Sequence, residues 1–343
     1  MAPRKKSDRA TIRTVAEDAG VSVSAVSKVL RDAYGVSESL RARVKESMAR
    51  LDYRPQAAAR GMRGQTYTLG VLLPDMRNPF FADIMAGVNE ALIRTQYQAL
   101  LGVGQSAESL EHALVDAMMD RQMDGLILVA PRIPLDELTA IAERIPIAII
   151  GLHYPDVEAF DTVNNDDQLG GRLVVQHLHE TGHRNISFFS LILPADSSGV
   201  SVVHRERGYR QAMTELGLSR QIKVVQPDAN ARDVQHAARQ LLQSRGRPDA
   251  IFCWTDFIAL EVLSVAHELG LRVPDDVAIV GYDNTALCDL TQNALTSIDQ
   301  SGQVLGLQAA RLLTERIKGR TQAEHFVITP RLVARASSGR RAR

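Results

Sequence analysis

Residues 11–30 read TIRTVAEDAGVSVSAVSKVL. Ile12, Val15, Ala16 and Ala19 recur at helical spacing, with Thr11 or Thr14 as the cap and Thr14 to Glu17 in the spacing of a capping box. Gly20 ends this helix after two turns, and Ser22 is placed to cap a second one whose inner face is Val26, Val29 and Leu30. A helix, a tight Gly-Val-Ser turn and a second short helix form a helix-turn-helix. Ser37 then caps a third helix with Leu40, Val44, Met48 and Leu51 on one stripe, enough to close a small core. The outward positions of the second helix read as Val23, Ser24, Ala25, Ser27 and Lys28, none of them acidic. Any small helical bundle has such periodicity; charge distinguishes this one.

Residues 1–64 hold 14 basic and 7 acidic residues, against 26 and 33 in the rest of the 343-residue chain, although the whole is formally neutral. A basic head on an acidic body points to a nucleic-acid-binding module joined to something else. Helix N-termini favour phosphate, and small side chains there let the backbone approach base edges. No run of about 18 apolar residues exists to span a membrane. The charged segment 1–9 lacks the apolar stretch of a secretory signal. Cys253 and Cys288 are too few for a disulfide scaffold or a cysteine-rich zinc module and fit a reducing cytoplasm. The two termini, 1–10 and 338–343, read as disordered tails.

From residue 66 short apolar runs alternate with helical segments. Strands are expected at 68–73, 98–103, 125–129, 147–150, 186–189, 250–253 and 278–280, and helices at 80–93 and 110–119. This alternation implies parallel sheets with helices on both faces, and about 270 residues imply two lobes.

Two stretches carry a resemblance. Residues 11–30 are similar to the head of the lactose-repressor (LacI) family. Tyr53-Arg54-Pro55-Gln56-Ala57-Ala58-Ala59-Arg60-Gly61-Met62-Arg63 is similar to that family's hinge. Further motifs follow in family order to about Ser338. They include Pro74-Asp75…Asn78-Pro79-Phe80-Phe81, Gly170-Gly171…Gly182-His183-Arg184, Arg205…Gly208-Tyr209 and Gly281-Tyr282-Asp283-Asn284. The resemblance implies a small all-α helix-turn-helix head (11–53), a hinge helix (54–65) and a two-lobed, periplasmic-binding-protein-like α/β body (66–337). It places lobe 1 at about 66–161 and 294–324 and lobe 2 at about 162–293 and 325–337. It further implies a cytoplasmic, homodimeric transcriptional regulator, a repressor rather than an enzyme. Its partners would be a palindromic double-stranded operator and a small effector, a sugar or sugar derivative, with no cofactor and no metal.

By the same resemblance Val23, Ser24 and Lys28 fall at readout positions in the major groove, and Thr11, Ser22, Ser27 and Arg31 are placed for phosphates. The hinge reads either as a flexible linker or as a helix that forms on DNA. It is too short to be helical alone, and Gly61 weakens it by about 1 kcal/mol. Ala59 and Met62 would enter the minor groove, with Met62 standing where the family usually has a wedging Leu. Residues 81–92 and 110–119 are candidate dimer helices.

Ligand sites in open α/β sheets form at the carboxyl ends of strands. There stand Asn78, Phe80, Phe81, Trp254, Thr255 and Asp283, and the resemblance adds Arg205 through its spacing to Gly208. Asp283 can accept two hydroxyls or simply form a turn. Arg205 can offer a fork of donors or pair with Glu206. One phenylalanine is expected in the core. Trp254, the only tryptophan, is either a stacking platform or core. Trp-Thr departs from the family's usual Ala-Asn here, and Asp256 reads as a helix cap. Two more departures stand at positions within reach of a ligand: Gly151, with His153 nearby, where the family often has Asp, and Asn165-Asp166, where Asp-Asn is common. Other classes fit less well. Gly102-Val103-Gly104-Gln105-Ser106-Ala107 matches a dinucleotide-binding pattern but follows the second strand rather than the first. His177 and His179 face apart on a helix, so with His183 they make a poor metal site. A transport protein for sugars would lack the head.

Overall fold

The computed structural model describes residues 10–30, 33–53, 65–192, 199–228 and 230–339. The chain divides into two compact units, residues 1–66 and 67–343.

The first unit holds three helices, α1 (Ile12–Asp18), α2 (Val23–Leu30) and α3 (Glu38–Arg50). The capping box sits on Thr11, one turn earlier than the Thr14–Glu17 spacing implies. Thr11 Oγ1 accepts from the Thr14 amide at 3.3 Å, and Thr14 Oγ1 accepts from the Thr11 amide at 2.8 Å. Gly20 takes φ +64°, a conformation that favours glycine, and turns the chain into α2. Ser37 caps α3 through the Leu40 amide. Val15, Ala16, Val26, Val29 and Val44 are buried together, with Leu40, Met48 and Leu51 packed around them. Polar contacts lock α1 to α3: Ser47, fully buried, donates to Asp18 at 2.6 Å, and Arg50 pairs with Asp18 at 2.7 Å.

The second unit is built from two six-stranded sheets. The first contains β1 (Thr68–Leu73), β2 (Gln98–Val103), β3 (Gly125–Val129), β4 (Ile147–Ile150), β5 (Asp161–Asn165) and β11 (His325–Ile328). The second contains β6 (Ile186–Phe189), β7 (Lys223–Val225), β8 (Ala250–Cys253), β9 (Ala278–Asp283), β10 (Thr296–Asp299) and β12 (Arg331–Val333). The strand orders are β11-β5-β4-β3-β1-β2 and β12-β10-β9-β8-β6-β7. All pairings are parallel except β10 with β12. Helices α4 (Phe80–Leu92) and α11 (Gly302–Ile317) cover one face of the first sheet, and α5 (Glu108–Asp120) and α6 (Leu135–Ala142) the other. The second sheet is sandwiched likewise by α7 (Asp167–Glu180) and α8 (Ser201–Glu215) on one face, and by α9 (Ala231–Gln243) and α10 (Asp256–Glu268) on the other. Alternation along β1 shows why each strand needs both layers: Leu69, Val71 and Leu73 join the α4/α11 core, and Leu72 the α5/α6 core.

The chain crosses between lobes after β5, after β10 and after β11. These crossings lie a few residues beyond the expected 162, 293 and 325. Polar segments such as Asp161–Asn165 remain in the first sheet because its strands pair with them. Residue 338, expected in the C-terminal tail, belongs to the folded body, and 340–343 lie outside the described residues. Ser338 is fully buried and donates to Thr296 Oγ1 at 2.6 Å.

Candidate nucleic-acid interface and ligand cleft

Helix α2 presents its N-terminal turn outward. Ser22, Val23, Ser24 and Lys28 are exposed, and the first turn holds no acidic residue. Ser22 Oγ caps the helix by accepting from the Ala25 amide at 3.1 Å and lies 2.8 Å from Ser24 Oγ. Thr11 is exposed at the start of α1. Ser27 departs from its expected outward place. It is 8% exposed, because it lies on the inward side of α2 with Val26 and Val29, both buried, while Val23 in the first turn stays exposed. Arg31, Ala59 and Met62, with hinge residues 54–64, lie outside the described residues.

The body's polar centre lies where the three crossings meet. Asn165 Nδ2 donates to the Gln300 carbonyl at 2.8 Å, and the Asp166 amide donates to the Ile328 carbonyl at 2.9 Å. The crossings are thereby bonded side by side. Around them the strand ends of both lobes converge. Asn78, in the loop after β1, donates through Nδ2 to Asp283 Oδ2 at the end of β9, 2.7 Å away across the cleft. Gln300 Nε2 donates to Asp283 Oδ1 at 2.5 Å. Asp283 adopts φ +119°, a strained backbone for a residue with a Cβ. Its carboxyl is held well above the usual range by burial and by neighbouring Asp256.

Arg205, one turn into α8, is 5% exposed and bonded through each of its three nitrogens. Nε donates to Asp167 Oδ1 at 2.8 Å, Nη1 to the Trp254 carbonyl at 2.6 Å and Nη2 to Gln300 Oε1 at 3.1 Å, while the guanidinium lies 3.7 Å from the Tyr282 ring centroid. Its partner is therefore Asp167 rather than Glu206, which pairs with Arg210. Burial alone would raise the Asp167 carboxyl, but Arg205 and the hydrogen bond with His153 outweigh it and hold it below its ordinary value. His153 comes from the first lobe. Its Nε2 lies 2.8 Å from Asp167 Oδ2, and its ring stacks 4.1 Å from that of His204 on α8. A further pair spans the lobes, Arg77 over the Phe257 ring at 5.6 Å.

The structure sorts the remaining expected residues. Phe80 is buried in the core of the first sheet, and Phe81 packs half-buried against that core. The Phe80 amide donates to Asn78 Oδ1, which fixes Asn78 at the mouth of α4. Thr255, not Asp256, caps α10, accepting from the Ile258 amide at 3.3 Å. Asp256 is instead a buried hub that accepts from Ser297 Oγ at 2.5 Å, the Thr285 amide at 2.8 Å and Cys288 Sγ at 3.0 Å. Trp254 packs against the cores on both faces of the second sheet, so its ring lies across the carboxyl end of β8. Asp167 and His204 escaped the sequence reading. The Asn-Asn-Asp-Asp run at 164–167, ending a strand, was the available signal for Asp167.

The dinucleotide-like stretch is unsuited to a pyrophosphate. A Cβ on Gly104 would meet the Glu111 side chain at 2.4 Å, and Glu108 and Glu111 make the first turn of α5 acidic. His177 is directed to Ser338 Oγ and His183 to the Leu178 carbonyl, so the histidines do not converge.

Comparison with known proteins agrees with this architecture. Residues 11–56 match the profile of bacterial regulatory proteins of the lacI family, and residues 175–338 that of the periplasmic binding protein-like domain. The chain is 32% identical over 322 residues to catabolite control protein A of Priestia megaterium, covering 93% of this chain and 96% of that protein. It is 30% identical over 332 residues to the HTH-type transcriptional repressor PurR of Photobacterium profundum, covering 96% and 98%. Among solved structures, a complex of the transcriptional regulator CelR with cellobiose superposes with a TM-score of 0.70 at 30% identity, covering 96% of this chain and 100% of that one. The chain belongs to the lacI family of bacterial regulatory proteins. It is a DNA-binding transcriptional regulator, in keeping with relatives that are regulators and not enzymes.

Proposed function

We propose that this protein is a cytoplasmic, homodimeric repressor whose grip on a palindromic operator is set by a small effector, a sugar or sugar derivative, bound between the lobes. The observation that carries the reading is that the chain has both an exposed, acid-free α2 terminus and a cleft in which Asn78, Asp283 and, through Gln300, Arg205 of α8 form one hydrogen-bonded cluster. Val23, Ser24 and Lys28 read the major groove, and Thr11, Ser22 and Arg31 position the head on phosphates. Ala59 and Met62 of the hinge enter the minor groove. Two heads on two half-sites multiply an interaction that one small head makes weakly.

Dimerisation has support in the first lobe. β2 is an edge strand with Leu100 and Leu101 half-exposed, and Ile93 stands exposed at the end of α4. An effector that prefers one lobe arrangement shifts the population of that arrangement, and operator affinity follows by linkage. Asn78, Arg205, Trp254 and Asp283 would contact it. Gel shifts on the DNA upstream of the gene, with and without candidate sugars, test the reading. Salt-sensitive, palindrome-specific binding that a sugar alters is expected. Indifference to DNA would reject it.

A further inference from the structure

Helices α5 and α6 follow β2 and β3, and their first turns bring three side chains to one point on the surface of the first lobe. Glu108 opens α5, His112 stands four residues on, and Glu137 lies in the first turn of α6. Residues four apart share a helix face, so Glu108 and His112 act together. One imidazole nitrogen and one oxygen from each carboxylate lie within 4.8 Å of one another. His112 Nε2 is the common vertex, 3.4 Å from Glu137 Oε2 and 3.9 Å from Glu108 Oε1. Both separations exceed the span of about 2.7–3.2 Å over which such groups share a hydrogen. They are close to the spacing of ligands: donors about 2.1 Å from a tetrahedral ion stand about 3.4 Å apart. Acids in a first turn are favoured by the helix dipole, which accounts for the two glutamates but not for an imidazole nitrogen set between them. Among the described residues neither Glu108 nor Glu137 pairs with a lysine or arginine; His112 is the basic group they share. Glu111 does not compete for this place, because it is buried and its Oε2 accepts from the Arg132 amide at 2.6 Å.

We propose that Glu108, His112 and Glu137 bind a divalent transition-metal ion of the zinc class, His112 through Nε2 and each glutamate through one carboxylate oxygen. Both glutamates are exposed and His112 half-buried, so water can complete the shell. A mixed set of imidazole nitrogen and carboxylate oxygen suits zinc, whereas magnesium and calcium take oxygen ligands. The dication neutralises the two carboxylates and ties α6 to α5 on the outer side of the first sheet. The site shares no residue with the cleft between the lobes, so it stands or falls independently of what the cleft binds.

The test is zinc binding by the full-length protein without an affinity tag, measured by equilibrium dialysis against zinc chloride with metal analysis and by competition with a chromogenic chelator. The wild type should hold about one more zinc per chain than His112→Gln. Glu137→Gln, which keeps the shape of the side chain and removes its charge, should weaken binding by about tenfold or more, at least what the loss of an outer-shell partner costs a metal site. Magnesium or calcium in large excess should not displace the zinc. Zinc at about a hundred times its Kd should raise the melting midpoint of the wild-type body by about 4–5 °C, a chelator should reverse the rise, and His112→Gln should not show it. Equal zinc content in wild type and His112→Gln overturns the inference, since the metal would then sit elsewhere. So does a wild type that binds no zinc, or one whose zinc magnesium displaces. All three side chains reach the surface, and the zinc-free melting midpoints of the two variants show whether each is folded. The magnesium competition and the chelator-reversible shift use the wild type alone.

Discussion

Helices α7 and α8 cross with their backbones in contact, and Gly208 is the residue that permits it. A methyl group at position 208 would lie 2.0 Å from the Gln168 carbonyl oxygen. Carbon–oxygen contacts settle near 3.3 Å, so Gly208→Ala must open the crossing by about 1.3 Å. The obstructing atom is helix backbone, which cannot rotate away as a side chain can. The reciprocal position is equally tight, since a Cβ on Gly171 would lie 2.3 Å from the Arg205 carbonyl oxygen. Overpacking of this kind costs about 1–3 kcal/mol. For a unit of this size that lowers the thermal midpoint by about 2–5 °C.

The second consequence is chemical. Gln168 adjoins Asp167, and Gly208 stands one turn beyond Arg205, so the same displacement stretches the 2.8 Å Arg205–Asp167 bond. Thermal unfolding of the body followed by dye binding measures the first effect. Effector titration of the operator complex measures the second. Gly246→Ala is the control, because Gly246 is exposed, has nothing within 4 Å of a Cβ and does not occupy the left-handed region. That change should be neutral or stabilise by up to about 1 kcal/mol. If Gly208→Ala melts within about 1 °C of the wild type, close packing is not what sets this crossing, and its supposed role in placing Arg205 is wrong.

Three further outcomes are expected. Lys28→Ala should weaken operator binding and make the dependence of log affinity on log salt shallower by about 0.9 per head; an unchanged slope in gel shifts would place the ammonium away from DNA. Ser47→Ala removes a buried hydroxyl bonded to Asp18 and to the Val15 carbonyl, costing about 1 kcal/mol. Loss of operator binding on warming should then begin about 4–8 °C lower; no shift would mean that the Ser47 hydroxyl adds nothing to the Arg50–Asp18 pair and the apolar packing that hold α1 to α3. His177 has its pKa lowered from 6.5, first by burial. The stability it contributes is present above that unfolded value and lost as pH falls through the lower folded one. The body's melting midpoint should fall as pH drops from about 7 towards 5, and His177→Gln should flatten that portion of the profile. An identical profile in the variant would exclude His177 as the cause.

The seven strands expected from apolar runs all formed; six are buried strands that an unbroken apolar run announces, and β2 is the exposed edge strand whose apolar run faces outward in part. The strands that escaped are β5, β7, β10, β11 and β12. β5 reads Asp-Thr-Val-Asn-Asn and is buried throughout. Its polar side chains are tolerated there because distant residues satisfy them. Asp161 accepts from Arg320 at 2.8 Å, and Asn164 donates to the Leu152 carbonyl at 2.8 Å. β10 is similar, with Ser297 bonded to Asp256 and Thr296 to Ser338. No local pattern announces a strand whose stability comes from partners tens or hundreds of residues away.

The same distinction runs through the binding site and the head. The residue types at strand ends marked Asn78 and Asp283 as candidates, and the family-like spacing to Gly208 marked Arg205. Their mutual bonding, the capture of Arg205 by Asp167, and the burial of Phe80 and Ser27 depended on how helices and sheets pack. Local periodicity, caps and charge were sufficient to determine three short helices with a basic surface and an alternating α/β body, because those features act over one or two turns of chain. Which carboxylate faces which cation was decided only by the meeting of strand ends far apart in sequence. Hydrogen bonds and ion pairs act over a few ångströms of space, whatever the separation along the chain.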